Sequence, residues 1–155
     1  MEKRKELVVS AIENGTVIDH IPADKVLQVV KILGLEKVNN PVYVGINVES
    51  KKYGTKGFIK VSDKYFAPAD FNKIALVAPT ASIIEIKEFE VIRKQAVGIP
   101  DSIERIVKCF NPNCVTNKEH DVPTKFKVIK DTEGNFKLHC HYCEKNTTPD
   151  KLEFI

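Results

Sequence analysis

Apolar and polar positions along the chain fall into short blocks whose periods change from two to 3.6. Thr16-Val-Ile-Asp-His-Ile21 has strand composition and runs into Pro22-Ala-Asp24. Proline suits a first helical position, and an acid in the first turn complements the helix dipole. Val26, Val29, Val30 and Leu33 then repeat at i, i+3, i+4 and i+7, which predicts one buried helix face, and Gly34 supplies the stop. The stretches 42–48 and 56–61 read as strands on either side of a turn-rich segment, 50–54. A second Pro-Ala-Asp, Pro68 to Asp70, opens another helix with Phe71, Ile74 and Ala75 on one side, and Pro79 ends it. Ser82 to Lys87 and Phe89 to Lys94 are the closing strands, and Leu7 to Ile12 is a candidate extension of the first.

The order strand–helix–strand–strand–helix–strand–strand predicts an α+β, ferredoxin-like domain: an antiparallel sheet with two helices on one face. Gly98-Ile99-Pro100-Asp101 marks a boundary, giving one domain of residues 1–100 and a small β-rich one of 101–155. All four cysteines fall in the second. Hydrophobic residues make up 43% of the 155 and the net charge is +3, which excludes a globally disordered chain. The longest apolar run, Ile74 to Ala78, is far short of the ~20 residues of a membrane span. The charged start, Met1 to Glu6, leads into too few apolar residues for a secretory segment, so a cytoplasmic setting is expected, where thiols bind metal more often than they pair.

Cys109-x4-Cys114 and Cys140-x2-Cys143 are separated by 25 intervening residues. Two close thiol pairs joined by a β-rich insert can converge on one tetrahedral zinc, with Zn–S distances of ~2.3 Å. Asn111, Pro112 and Asn113 in the first loop, and Glu144-Lys145-Asn146 after the second pair, suit the tight knuckles that aim thiolates at a metal. Two free pairs, or a redox Cys-x-x-Cys, are the alternatives. A redox pair belongs at a helix N-terminus, however, and Lys137 to Cys143 reads as a strand entering a turn. His139 and His141 alternate away from Cys140 and read as surface groups. Four cysteines leave no open coordination position, so the site is structural, and one zinc per chain supports a domain near the lower size limit for an independent core.

No phosphate loop, no G-x-G-x-x-G and no H-E-x-x-H occurs. What the first domain offers is Asp19 and His20 at one strand end, Lys56 and Lys60 on another strand, and Lys94 on the last. Lys56, Phe58 and Lys60 share a strand face by period two. These lysines read either as a solvated sheet face or as charge-assisted donors for a triphosphate, and spacing leaves both open.

Gly15-Thr-Val-Ile-Asp-His-Ile-Pro-Ala23, Ala75-Leu-x-Ala-Pro79 and Cys140-x-Tyr-Cys-Glu-Lys145 resemble the regulatory chain of aspartate carbamoyltransferase over essentially the whole length. The resemblance implies a non-catalytic subunit of pyrimidine biosynthesis. Its first domain would bind nucleoside triphosphate effectors (CTP, ATP) and pair with a second regulatory chain, and its zinc domain would attach to the catalytic chain. Carried over by position, Lys94 and His20 hold phosphates, with Asp19 and Val17 near the ribose and phosphates. Lys60 lies near sugar and base, and Lys56 at the edge. Ala11, Ile12, Ile86 and Val91 line the base pocket, with Phe89 beside them. Asn111, Asn113, Glu119, Glu144 and Lys145 face the catalytic chain. Ser10, Ile84 and Phe89 stand where well-known members carry an acid, an amide and a tyrosine. The lost tyrosine hydroxyl removes a hydrogen bond worth ~0.5–1.5 kcal/mol. The competing reading, a zinc-ribbon adaptor for nucleic acid, is disfavoured by the small net charge and the lack of an RNP-like aromatic signature. Neither a nucleic-acid nor a membrane partner is expected.

Overall fold

The structure, a computed structural model, describes residues 11–50 and 54–155. Residues 7–10 of the candidate strand extension lie outside it, and residues 11–14 lead into the first strand as irregular backbone. The chain divides into two compact units between Val97 and Gly98.

In the first unit, β1 (Gly15–Ile21), α1 (Val26–Ile32), β2 (Val42–Ser50), β3 (Gly54–Ser62), α2 (Pro68–Val77), β4 (Ser82–Lys87) and β5 (Glu90–Ala96) follow one another. Among the described residues the strands form one antiparallel sheet in the order β2-β3-β1-β4-β5. Its first four strands and two helices have the ferredoxin-like order, and β5 adds an edge beside β4. Alternation divides the sheet into two faces. Ile18, Ile59, Val61 and Ile83 are buried on one, with Val26, Val29, Ile74 and Ala75 of the helices. At Gly57 the helix layer comes so close that an added Cβ would stand 2.0 Å from Val26 Cγ2. The opposite face carries Lys56, Phe58 and Lys60 of β3, all half-buried.

The local grammar differs from expectation in the first helix and at Phe89. Pro22 stands ahead of a single 3-10 turn, Ala23–Lys25, so α1 starts only at Val26. That helix has about two turns before Gly34, at φ 65, ends it, and of the predicted face Val26 and Val29 are fully buried while Val30 and Leu33 are half-buried. The second Pro-Ala-Asp behaves as predicted: Pro68 opens α2, and the Asp70 carboxylate accepts the Ala67 N–H at 3.1 Å. Phe89 is not a strand residue. Lys87 pairs with Glu90, so Glu88 and Phe89 form a two-residue hairpin turn with φ of 53 and 64. That left-handed geometry matches the twist of the flanking strands, although neither residue type favours it.

The second unit contains β6 (Ser102–Glu104), a one-turn α3 (Val115–Lys118), β7 (Lys125–Lys130), β8 (Phe136–Cys140) and β9 (Asn146–Thr147). The strands form an antiparallel sheet in the order β6-β7-β8-β9. Ile103, Phe126, Val128 and Leu138 face inward, while Lys125 and Lys127 alternate outward.

Candidate functional sites

The second unit brings its four cysteines together. Cys109, Cys114 and Cys140 are buried and Cys143 half-buried, with all four Sγ atoms within 4.8 Å of one another. Cys109 and Cys143 Sγ are 3.6 Å apart, Cys114 and Cys140 Sγ 3.7 Å. Four sulfurs at ~2.3 Å around a tetrahedral zinc stand ~3.8 Å from one another, so the cluster has the dimensions of a Zn–S4 centre. The knuckles are built by backbone. Cys114 N–H donates to Asn111 O at 3.0 Å, Glu144 N–H to Cys140 O at 3.1 Å, and Glu144 sits at φ 62 to close the second turn. Thr116 Oγ1 donates to Cys114 Sγ at 3.2 Å, and the Asn117 carboxamide spans Cys109 O and Asn111 O at 2.9 and 2.7 Å.

Electrostatics points the same way. Burial raises the Cys109 thiol well above its ordinary value, more than the Asn111 N–H can offset, and burial raises Cys140 as well. At Cys143 burial is outweighed by the Lys145 N–H, Asn111 and the neighbouring thiols, which bring it down to about 7. Such a set does not ionise four times over without a cation in its centre, and a bound zinc supplies that charge. His139 lies off the cluster, with Nδ1 2.8 Å from Asn146 Oδ1, and His141 packs edge-on against Tyr142.

In the first unit, strand register shows which of these residues lie in line. Lys60 of β3 lies opposite Val17 of β1, Val17 opposite Ile84 of β4, and Ile84 opposite Lys94 of β5. One transverse row thus runs Lys60–Val17–Ile84–Lys94 on the face away from α1 and α2. Three strand steps of ~4.8 Å put the two lysine backbones roughly 14 Å apart. Ile86 and Val91 pair in the adjoining row, Ile12 is buried, Ala11 is exposed, and Phe89 stands 65% exposed at the hairpin tip.

At the end of β1 the pairing slips between Ile18 and Ile21, and His20 takes φ 58. This bulge turns Asp19 toward Lys56, whose Nζ lies 2.8 and 2.9 Å from the two carboxylate oxygens. The His20 N–H donates to Asp19 Oδ1 at 2.8 Å, and His20 Nε2 is 3.9 Å from Oδ2. Burial would raise the Asp19 pKa, but the Lys56 ammonium and the His20 N–H and ring together hold it below its ordinary value. Asp19 is therefore the anion that fixes Lys56. His20 and Lys56 line a cleft of about 380 Å³ with Pro22, Asp24, Thr55 and Thr80. Thr80, whose hydroxyl donates to His20 O at 2.8 Å, carried no sequence signal because 60 residues separate the two.

Family models describe both units. The model for the aspartate carbamoyltransferase regulatory chain, allosteric domain, matches residues 7–98, and that for its metal binding domain matches residues 101–153. The chain belongs to the aspartate carbamoyltransferase regulatory-chain family. Curated regulatory chains from Pyrococcus horikoshii and Bacteroides thetaiotaomicron are 50% identical over 149 residues and 43% over 154. The first alignment covers 95% of this chain and 96% of the relative, the second 99% of each. A third, from Thermococcus sibiricus, is 52% identical over 141 residues, 91% of each chain. The chain is thus a regulatory, non-catalytic subunit whose second unit is the family's metal-binding domain. No helix among its described residues is long and apolar enough to cross a membrane.

Of the residues expected to meet a partner, Asn113, Glu119, Glu144 and Lys145 are exposed. Asn111 is different: it is 8% exposed, and its Oδ1 accepts the Asn113 N–H at 3.1 Å. Its side chain is committed to the first knuckle, the duty that its position inside Cys-x4-Cys suggests.

Proposed function

We propose that this chain binds nucleoside triphosphates, CTP and ATP, on the open face of its first unit, and that it passes their effect to the catalytic chain of aspartate carbamoyltransferase in the cytoplasm. The observation that carries the reading is the transverse row with Lys60 at one end and Lys94 at the other. Two long cations flank an apolar strip, a layout that suits a ligand with a flat apolar part and a polyanionic tail. His20, in the neighbouring cleft with Lys56, would reach the phosphates together with Lys94. Ala11, Ile12, Ile86 and Val91 would enclose the base, with Phe89 at the rim, and Val17 and Asp19 would flank the sugar and phosphates.

Two further contacts complete the subunit. The edge strand β2 presents Tyr43, Val44, Ile46 and Val48, each at least 36% exposed. An apolar edge is a ready template for antiparallel addition of a second copy, which supports a regulatory dimer. Around the zinc knuckles, Phe110, Val115 and Tyr142 are also exposed, beside Asn113, Glu119, Glu144 and Lys145. This mixed apolar and charged rim suits a docking surface for the catalytic chain, with zinc as its scaffold. Val97 donates to Ala81 O in the first unit and Lys130 Nζ donates to Ile99 O in the second, leaving Gly98 between two anchors as the route for coupling.

The test is reconstitution with catalytic subunits. Zinc-loaded chain should co-sediment with them and make their activity respond to CTP and ATP, through a coupling of ~1–3 kcal/mol, or 5–150-fold. Co-sedimentation with no response to either nucleotide would leave an attachment module and defeat the allosteric reading.

A further inference from the structure

We infer that Phe58 is a positioning residue for Lys60, seating that ammonium on the open face before a ligand arrives; the inference rests on the reading of this face as the effector site. Phe58 lies directly opposite Gly45 in the β2–β3 register. A Cβ at position 45 would stand 2.1 Å from Phe58 Cε1 and 2.6 Å from Cζ, so the ring lies across the bare glycine backbone. Glycine inside a strand lacks packing of its own, and an aromatic ring laid over it from the neighbouring strand restores the contact. The ring is thereby held in place, since it occupies the volume any other residue at position 45 would fill.

Two positions along the same face, Lys60 Nζ stands 5.6 Å from the Phe58 ring centroid. That is within the ~6 Å over which the negative face of an aromatic ring attracts a cation. Lys60 also sits between Tyr43 and Val17, its cross-strand partners on either side. An unseated lysine surrenders rotamer freedom when it grips an anion; one already confined by a ring gives up less, and the difference appears as affinity. Gly45, Phe58 and Lys60 therefore act in series: the glycine makes room for the ring, and the ring seats the cation.

The zinc-loaded full chain, with lysines reductively ¹³C-methylated, tests the seating without any nucleotide. The Lys60 signal, assigned by its loss in Lys60→Arg, should lie upfield from the ring current. Phe58→Leu should move it to the position of exposed lysines, and Phe58→Tyr should leave it in place. An unchanged Lys60 signal in Phe58→Leu would overturn the inference. Calorimetric titration with CTP tests the consequence. Phe58→Leu should weaken binding about two- to fivefold, and should have no effect in a Lys60→Met background. Equal weakening in both backgrounds would make Phe58 a packing residue only and overturn the positioning role. A seated Lys60 in a parent chain that binds no CTP would instead refute the function proposed for the face.

Discussion

Removing zinc should unfold the second unit and leave the first folded. Besides its buried cysteines, the second unit buries Ile103, Ile106, Val107, Phe126, Val128 and Leu138. At ~1.5–3 kcal/mol for each buried side chain, these six contribute roughly 9–18 kcal/mol before any chain entropy is counted. Zinc held by four thiolates supplies ~10–16 kcal/mol of apparent binding free energy. The two ranges overlap and chain entropy opposes both, so the metal contributes as much to folding of this unit as its whole apolar cluster does. The first unit has its own core, centred on Ile18, Ile59, Ile74 and Ile83. Amide correlation spectra of the zinc-loaded chain, before and after chelator, read both units at once. Cross-peaks of residues 98–155 should collapse toward random-coil positions while those of Ile18, Ile59 and Ile83 stay dispersed. Retained dispersion for Phe126 and Leu138 would show that the apolar core suffices. Loss of dispersion in both units would show that they fold as one.

Asp19→Asn should destabilise the chain by about 1.5–3 kcal/mol at pH 7, the range for hydrogen bonds to a charged group. Because the folded Asp19 pKa is depressed, its contribution is present above the unfolded value of ~3.9 and is lost as pH falls through the lower folded value. Urea melts of the two proteins should therefore converge on the acid side of pH 4; a constant gap from pH 7 to pH 3 would refute the ion-pair account. Gly57→Ala should cost about 1–3 kcal/mol in the same assay, because its Cβ would meet Val26, which is fully buried in α1. A change below about 0.5 kcal/mol would mean that the helix layer yields freely.

The sequence disclosed the parts of this molecule that local chemistry dictates. Period-two and i, i+3, i+4 patterns located the strands and helices, because one sheet face and one stripe of each helix must leave water. The zinc cluster was legible because Cys109, Cys114, Cys140 and Cys143 sit in two tight knuckles, where spacing alone nearly sets geometry. Two features were not legible in the sequence. The alignment of Lys60 with Lys94 depends on the register of four strands, which no segment encodes by itself. Phe89 has strand composition, yet the two-residue connection between Lys87 and Glu90 forces it into a left-handed turn.

The row that joins Lys60 to Lys94 carries the proposed nucleotide site. Calorimetric titration of the zinc-loaded chain with CTP and with ATP, beside Lys94→Ala and Lys60→Ala, measures it. Saturable binding by the parent, weakened at least tenfold in Lys94→Ala and measurably in Lys60→Ala, is the predicted result. Nucleotide binding of equal affinity in all three proteins would place the ligand elsewhere and contradict the assignment of the open face.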